Sequence, residues 1–319
     1  VRICVIFNPA AGRRRARRRL AGFLERWGNR VTLRPTERPG HAAGLAATAT
    51  GEGFDVVAAA GGDGTVHEVA DGLLRATGGA NGPGAGQAGP IFAVVPIGSA
   101  NDYAHSLQRQ FGTSPLDSPA AHAVDVGRLR WTASSADGSD GEERERFFVC
   151  CCGAGLAGRV TLESRKIGWL QGVPLYGLAA MRAVRAAGTP AEWTVTHDDA
   201  APVVWPTRSF HLLLGRREGG FLLAPDASLN DGLFDVVRLG AAGRWGMMRM
   251  LPGLARSGPP VAHPHVALGR CRSASVESPT PLAVHVDGEL ALIPENGVRS
   301  VRIDLLPGRL RAKVCAVRS

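Results

Sequence analysis

The chain has 319 residues, 45% apolar and 20% charged, with a formal net charge of +9. That length holds about two domains of roughly 100–200 residues each, and the balance excludes a disordered chain. No apolar run reaches the roughly 18–20 residues needed to span a bilayer and the arginines at 13–19 leave no signal-peptide core, so the expectation is a soluble, cytoplasmic protein.

Residues 2–7 read as an apolar strand that ends in the turn Asn8-Pro9-Ala10-Ala11-Gly12. Residues 13–27 follow as an amphipathic helix, with Leu20, Phe23, Leu24 and Trp27 at helical spacing. A short strand at 31–34 and a helix at 40–50 lead to a second buried strand at 54–60. That strand breaks at Gly61-Gly62-Asp63-Gly64, before a helix from Thr65 to about Arg75. A glycine-rich segment at 77–89 precedes the strand 91–96, another glycine turn and a helix from about Asn101. Strand, glycine loop and helix, three times over, predict a parallel α/β sheet with right-handed crossovers.

The texture changes near residue 124. Short strands are expected at 124–131, 147–152, 193–197, 210–214, 233–239, 266–277, 282–286 and 301–305, with one helical interlude at 172–187. Many strands separated by turn signals predict an antiparallel β sandwich. The acidic, Gly/Ser-rich stretch 134–145 reads as a solvated hairpin loop. Domain boundaries follow: an α/β domain at 1–123, an all-β sandwich at 124–305, and a tail at 306–319 that packs back on the first domain.

Charge and rare residues narrow the chemistry. A +9 balance favours anionic partners. Lys166 and Lys313 are the only lysines, and no G-x-x-x-x-G-K-[ST] loop occurs, which excludes a P-loop phosphotransferase. Six cysteines form no C-x-x-C pair and read as reduced, buried thiols. No H-E-x-x-H pattern is present, so a transition-metal enzyme is not expected.

The three glycine turns, 8–12, 61–65 and 96–102, each end a parallel strand, the edge where open α/β sheets bind ligands. Their backbone N–H groups and the helix N-termini behind them suit phosphate. Gly61-Gly62-Asp63-Gly64-Thr65 departs from the dinucleotide G-x-G-x-x-G and carries an aspartate inside the loop. Asp63 then either bridges to phosphate through Mg²⁺ or caps the following helix, and both roles are compatible. Asp287-Gly288-Glu289 ends a strand, and its two carboxylates, at i and i+2, share a face. An ordinary Asp-Gly hairpin turn accounts for the same three residues.

Residues 61–69, G-G-D-G-T-V-H-E-V, resemble the signature of the soluble diacylglycerol kinase, sphingosine kinase and bacterial lipid kinase family. Residues 96–104, P-I-G-S-A-N-D-Y-A, resemble its P-x-G-T-x-N-D-[FY]-A, with Ser99 in the place of Thr. The Asn8-Pro9-Ala10-Ala11-Gly12 opening, Asp125-Val126-Gly127, Gly219-Gly220, Pro225-Asp226-Ala227, the 231–235 run and Asp287-Gly288-Glu289 follow in the family's order. G-G-D-G-T alone is shared with phosphofructokinases and NAD kinases, whereas the ordered set, from residue 1 to about 290, is much more specific.

The resemblance implies a phosphofructokinase- and NAD-kinase-like α/β domain and a β sandwich, with ATP in the cleft between them. It places Asn8, Pro9, Ala10, Ala11, Gly12, Thr36, Gly62, Asp63, Gly64, Thr65, Val66, His67, Glu68, Ser99 and Asn101 around the nucleotide. It implies Mg²⁺ with Asp63, Asp102 and Asp125 in a partly water-linked acidic network, and a second, structural Mg²⁺ at Ser228, Asp231 and Leu233. Asp287, Glu289 and Asp63 are its catalytic candidates, with Asp287 or Glu289 as the base toward a lipid hydroxyl. The expected activity is phosphorylation of diacylglycerol to phosphatidic acid. A sphingoid-base or ceramide kinase, an NAD kinase and a non-catalytic anionic-lipid-binding protein are the alternatives. Basic stretches at 13–19 and 166–185 imply peripheral contact with an anionic membrane. Nucleic acid is not expected as a partner, and a homodimer is open.

Overall fold

The first apolar run forms β1 (Ile3–Phe7) and leads into α1 (Arg14–Trp27), β2 (Thr32–Pro35), α2 (His41–Gly51), β3 (Val56–Gly61), α3 (Asp63–Ala76), β4 (Ile91–Pro96) and α4 (Asp102–Phe111). The computed structural model describes residues 1–9, 14–82, 89–133, 141–170 and 172–316. The chain divides into two units: Val1–Val126, Leu229–Asp231 and Leu306–Ser319 make the first, and Gly127–Ser228 with Gly232–Leu305 make the second.

In the first unit β2, β1, β3 and β4 lie side by side and all pair in parallel. Alternation along the strands explains why the sheet reads as continuous apolar runs. Ile3, Val5, Val56, Ala58, Ala60, Ile91, Ala93 and Val95 face one side, where Leu20, Phe23 and Trp27 of α1 cover them. On the other side Phe92 stacks on Tyr103 of α4, with ring centroids 6.3 Å apart. Both faces are buried, as a parallel sheet requires. Gly72 on α3 permits close approach to α2, because a Cβ there would lie 2.2 Å from the Ala43 carbonyl oxygen.

The remaining elements are β5 (His122–Thr132), β6 (Glu143–Phe148), β7 (Cys151–Gly155), α5 (Leu156–Arg165), α6 (Val173–Ala186), β8 (Ala191–His197), β9 (Val203–Thr207), β10 (Ser209–Leu213), β11 (Arg217–Glu218), β12 (Phe221–Leu222), β13 (Phe234–Leu239), α7 (Arg244–Leu254), β14 (Val266–Cys271), β15 (Ser273–Glu277), β16 (Val284–Val286), β17 (Glu289–Leu292) and β18 (Ser300–Val314). The second unit holds a six-stranded antiparallel sheet in the order β14-β13-β10-β7-β16-β17. Further antiparallel pairing joins β5 to β6, β9 to β8, β8 to β15, and β15 to residues 300–304 of β18. The fold is therefore an α/β domain with a mainly parallel sheet followed by a β-sandwich-like domain.

Four expected elements differ in the structure. The strand expected at 266–277 is two, because the Asp198 carboxylate takes the N–H groups of Arg272 and Ser273 at 2.8 Å each and turns the chain there. The strand expected at 147–152 breaks at Val149 and Cys150, whose N–H groups go to Asp287 instead of a ladder. The strand expected at 301–305 runs on to Val314, and its end pairs in parallel with β4 in the first unit. In the stretch read as a loop at 134–145, residues 134–140 lie outside the described residues and β6 already begins at Glu143. Helices α5 and α7 were not expected, since glycines 158, 246 and 253 and Pro252 obscure their periodicity.

Candidate active site

Two of the glycine turns of the first unit, 61–65 and 96–102, meet at one carboxylate. Asp63 opens α3, and its Oδ2 accepts the Asn101 N–H at 2.9 Å while its Oδ1 accepts the Asp102 N–H at 2.8 Å. Asp63 thus caps α4, not its own helix, whose N-cap is Gly62. Asn101 takes a left-handed φ of 53° and donates from Nδ2 to the Gly98 carbonyl at 2.8 Å. The two loops then touch backbone to backbone. A Cβ on Gly98 would fall 2.4 Å from Gly62 Cα, whereas one on Gly62 would meet nothing nearer than 3.5 Å. Two helix N-termini, with their N–H donors and positive dipole ends, are held together in a form suited to phosphate.

The other nucleotide candidates take varied places. Gly64 and Thr65 are half-buried in the first turn of α3, and Ser99 is exposed in the loop before α4. Val66 and His67 are buried, so their side chains belong to the core and leave only backbone for a nucleotide. Glu68 is half-buried and reaches a neighbouring helix. Its two oxygens accept the Gly40 and Ala42 N–H groups at 2.8 and 3.0 Å, capping α2. Thr36 follows β2 and donates its N–H to the Phe7 carbonyl. Asn8 is half-buried and Pro9 exposed, while Ala10, Ala11 and Gly12 lie outside the described residues. A cleft of about 670 Å³ in this unit, lined among others by Val1, Asp55, Val56, Pro90 and Ile91, opens at the starts of β1, β3 and β4. That is the opposite edge from the glycine turns.

Asp102 and Asp125 are buried, at 7% and 2% exposure, so neither belongs to a solvated acidic face. The Asp125 Oδ1 accepts the Gly308 N–H at 2.7 Å, and its own N–H donates to the Leu229 carbonyl at 2.7 Å. Asp125 therefore ties both returning segments to the first unit. Asp231 is exposed at a turn where Gly232 has a φ of 73°, and Ser228 and Leu233 flank it in sequence, half-buried. Among the described residues no three His, Cys, Asp or Glu side chains gather as a metal cage.

In the second unit, Asp287 (φ 50°) and Gly288 (φ 82°) form a left-handed pair between β16 and β17. The Asp287 carboxylate accepts three backbone N–H groups: Val149 at 2.9 Å, Cys150 at 2.8 Å and Cys151 at 2.9 Å. Glu289 instead faces outward and pairs with Arg165 at 2.7 Å, both side chains partly exposed. Arg165 was not legible as a partner, since 124 residues separate it from Glu289. The two acidic groups of the turn are held differently: one anchors the backbone, the other remains at the surface beside a guanidinium.

Residues 2–129 match the model of the diacylglycerol kinase catalytic domain, and residues 150–313 match that of the YegS C-terminal NAD kinase beta sandwich-like domain. The chain belongs to the bacterial soluble diacylglycerol kinase family. A diacylglycerol kinase of Bacillus subtilis is 26% identical over 295 residues, covering 89% of this chain and 88% of the relative. One from Staphylococcus saprophyticus is 28% identical over the same length and coverage. Among solved structures, one described as a diacylglycerol kinase from Bacillus anthracis superposes with a TM-score of 0.64 at 17% identity, over 98% of this chain and 96% of that one. Yeast NADH kinase, solved with NADH, superposes with a TM-score of 0.52 at 9% identity, over 99% and 83%. Both solved structures bear on the fold alone.

Proposed function

We propose that the chain is an ATP-dependent lipid kinase that phosphorylates a lipid hydroxyl, with diacylglycerol as acceptor and phosphatidic acid as product. The observation that carries this reading is the Asp63 bond to the loop of residues 96–102. It joins G-G-D-G-T, which NAD kinases share, to P-x-G-S-x-N-D, which belongs to the lipid kinase pattern. The N-termini of α3 and α4 receive ATP phosphate, with Gly62, Gly64 and Thr65 lining one side and the Ser99 hydroxyl the other.

Mg²⁺ fits this group of residues as an ion carried in by ATP. Such an ion keeps several waters and needs only one or two carboxylates, so the lack of a preformed cage among the described residues is compatible with it. We assign Asp63, Asp102 and Asp125 to that ion, and Ser228, Asp231 and Leu233 would hold a second, structural one. When bound, the metal neutralises charge on the transferring phosphoryl group. The chain itself must take the proton of the lipid hydroxyl, and we assign that role to the Asp287-Gly288-Glu289 turn. Residues 1–123 with the tail would serve the nucleotide, and residues 124–305 the lipid.

The acceptor is a bilayer lipid, and no helix among the described residues is long and apolar enough to cross a membrane. Peripheral docking on an anionic surface is the expected mode. Exposed Trp169 and Trp245, Arg18 and Arg19, and the +9 balance support it. Incubation with ATP and, in parallel, diacylglycerol, sphingoid base, ceramide and NAD tests the reading. Transfer to diacylglycerol supports it; transfer to NAD alone overturns it. Co-sedimentation with acidic and with neutral vesicles tests the docking, which should weaken as salt approaches about 0.5 M.

A further inference from the structure

On the six-stranded sheet, Gly153 of β7 lies in register with His211 of β10 on one side and His285 of β16 on the other. A Cβ at 153 would fall 2.4 Å from His285 Nε2, so the glycine leaves the room that this imidazole fills. Glu218, at the end of β11, joins the two rings. Its Oε2 meets His211 Nδ1 at 2.8 Å and its Oε1 meets His285 Nε2 at 3.0 Å. The chain of contacts continues at both ends. His211 Nε2 meets Ser209 Oγ at 2.8 Å, and that oxygen accepts the Ala157 N–H at 3.2 Å. At the other end His285 Nδ1 accepts the Gly288 N–H at 3.3 Å.

Donor and acceptor roles follow from chemistry. The Gly288 N–H can only donate, so His285 Nδ1 accepts and Nε2 carries the hydrogen toward Glu218. The Glu218 carboxylate likewise accepts from His211 Nδ1, and His211 Nε2 shares a hydrogen bond with the Ser209 hydroxyl, which also donates to the Ala154 carbonyl at 3.4 Å. Burial pushes the Glu218 carboxyl up, but the two imidazoles outweigh it and hold it well below the usual carboxylate range. Serine, histidine and glutamate in this order resemble a nucleophilic triad. Ser209 is only 1% exposed, however, so no substrate reaches its oxygen.

We propose that His285, oriented by Glu218, is a positioning residue for the Asp-Gly-Glu turn: its Nδ1 holds the Gly288 N–H and so fixes the carboxylates of Asp287 and Glu289. A left-handed non-glycine residue is costly and persists only where its surroundings enforce it. Asp287 is held from one side by three N–H donors of residues 149–151, and Gly288 from the other side by His285. The inference rests on the reading of that turn as the base-bearing one.

Two substitutions separate the arms of the ring. His285→Asn keeps an acceptor near the Nδ1 place but loses Glu218, whereas His285→Gln keeps a donor toward Glu218 and loses the Gly288 acceptor. Positioning predicts that His285→Gln lowers kcat by about 10-fold or more with KM for ATP unchanged, and that His285→Asn, which keeps the acceptor but loses its orientation by Glu218, lowers kcat by less. Amide hydrogen exchange at Gly288 should follow the same order, rising by about 10-fold or more in His285→Gln only. A purely structural His285 would reverse the order, because losing Glu218 disturbs the buried network more, and that reversal would overturn the proposal. An unprotected Gly288 amide in the wild-type protein would overturn it as well, even if both variants failed to fold. Protection at Gly288 in a protein that phosphorylates no lipid would uphold the network and reject the kinase reading instead.

Discussion

The Asp63 carboxylate accepts the Asp102 backbone N–H at 2.8 Å, thirty-nine residues away in the chain. Each residue opens a helix, so this bond sets two helix N-termini side by side. A carboxylate that caps a neighbouring helix is both a structural strut and a fixed charge beside the two glycine loops.

Asp63→Asn tests the two roles together. Asn keeps one acceptor oxygen and turns an amide toward an N–H donor, a loss of about 1 kcal/mol on the scale of helix caps. Unfolding should therefore shift by only a few degrees, while ATP-dependent turnover falls by about 10²-fold or more. A variant that unfolds with much larger loss would make Asp63 a strut only.

The glycine pair predicts an asymmetry. Gly98→Ala drives a Cβ into Gly62 Cα and should destabilise by about 1–3 kcal/mol. Gly62→Ala has room and an extended backbone, with φ −94°, and should fold normally while weakening ATP binding. Chemical denaturation and nucleotide titration of the two variants would check this, and equal stability would contradict the contact.

The parallel sheet was legible because Val56–Gly61 and Ile91–Pro96 are buried on both faces and read as unbroken apolar runs closed by glycine turns. Less legible were the breaks in the second unit. The strand residues at Val149 and Cys150 carry ordinary strand chemistry, and only the distant Asp287 diverts their N–H groups. The capping of α2 by the Glu68 oxygens left no local signal either, since the bonds join two different helices. The pair Glu289–Arg165 and the ring of His211, Glu218 and His285 left no local signal, since each depends on elements that meet only in the folded chain.

The six cysteines are free and buried. Burial pushes the thiols of Cys4 and Cys315 up to about 11 and that of Cys271 up to about 12. A thiol reagent at pH 8 should label the native protein slowly and all six positions once it is unfolded. Rapid native labelling would contradict the burial.

Asp304 sits under Arg130 and Arg302, at 2.8 and 3.0 Å. Burial pushes its carboxyl up, but the guanidinium groups of Arg130 and Arg302 outweigh that and hold it below the ordinary value. A depressed folded pKa contributes stability above the unfolded value and loses it as pH falls through the folded one. Asp304→Asn should thus cost about 1–3 kcal/mol at neutral pH, with the gap to wild type closing below about pH 4. Melting curves from pH 7 to 3 would read both, and a gap that widened in acid would contradict the sign.

Transfer of labelled phosphate from ATP to diacylglycerol in acidic mixed micelles, by wild type and by Glu289→Gln side by side, tests the central claim most directly. The Gln variant loses a partly exposed carboxylate whose ion pair with Arg165 lies at the surface, so its fold should be unchanged. The account predicts labelled phosphatidic acid from the wild type and about 10²-fold less from the variant if Glu289 is the base, or the same loss in Asp287→Asn if Asp287 is. Label on NAD and none on lipid, or full lipid turnover in both variants, would contradict it.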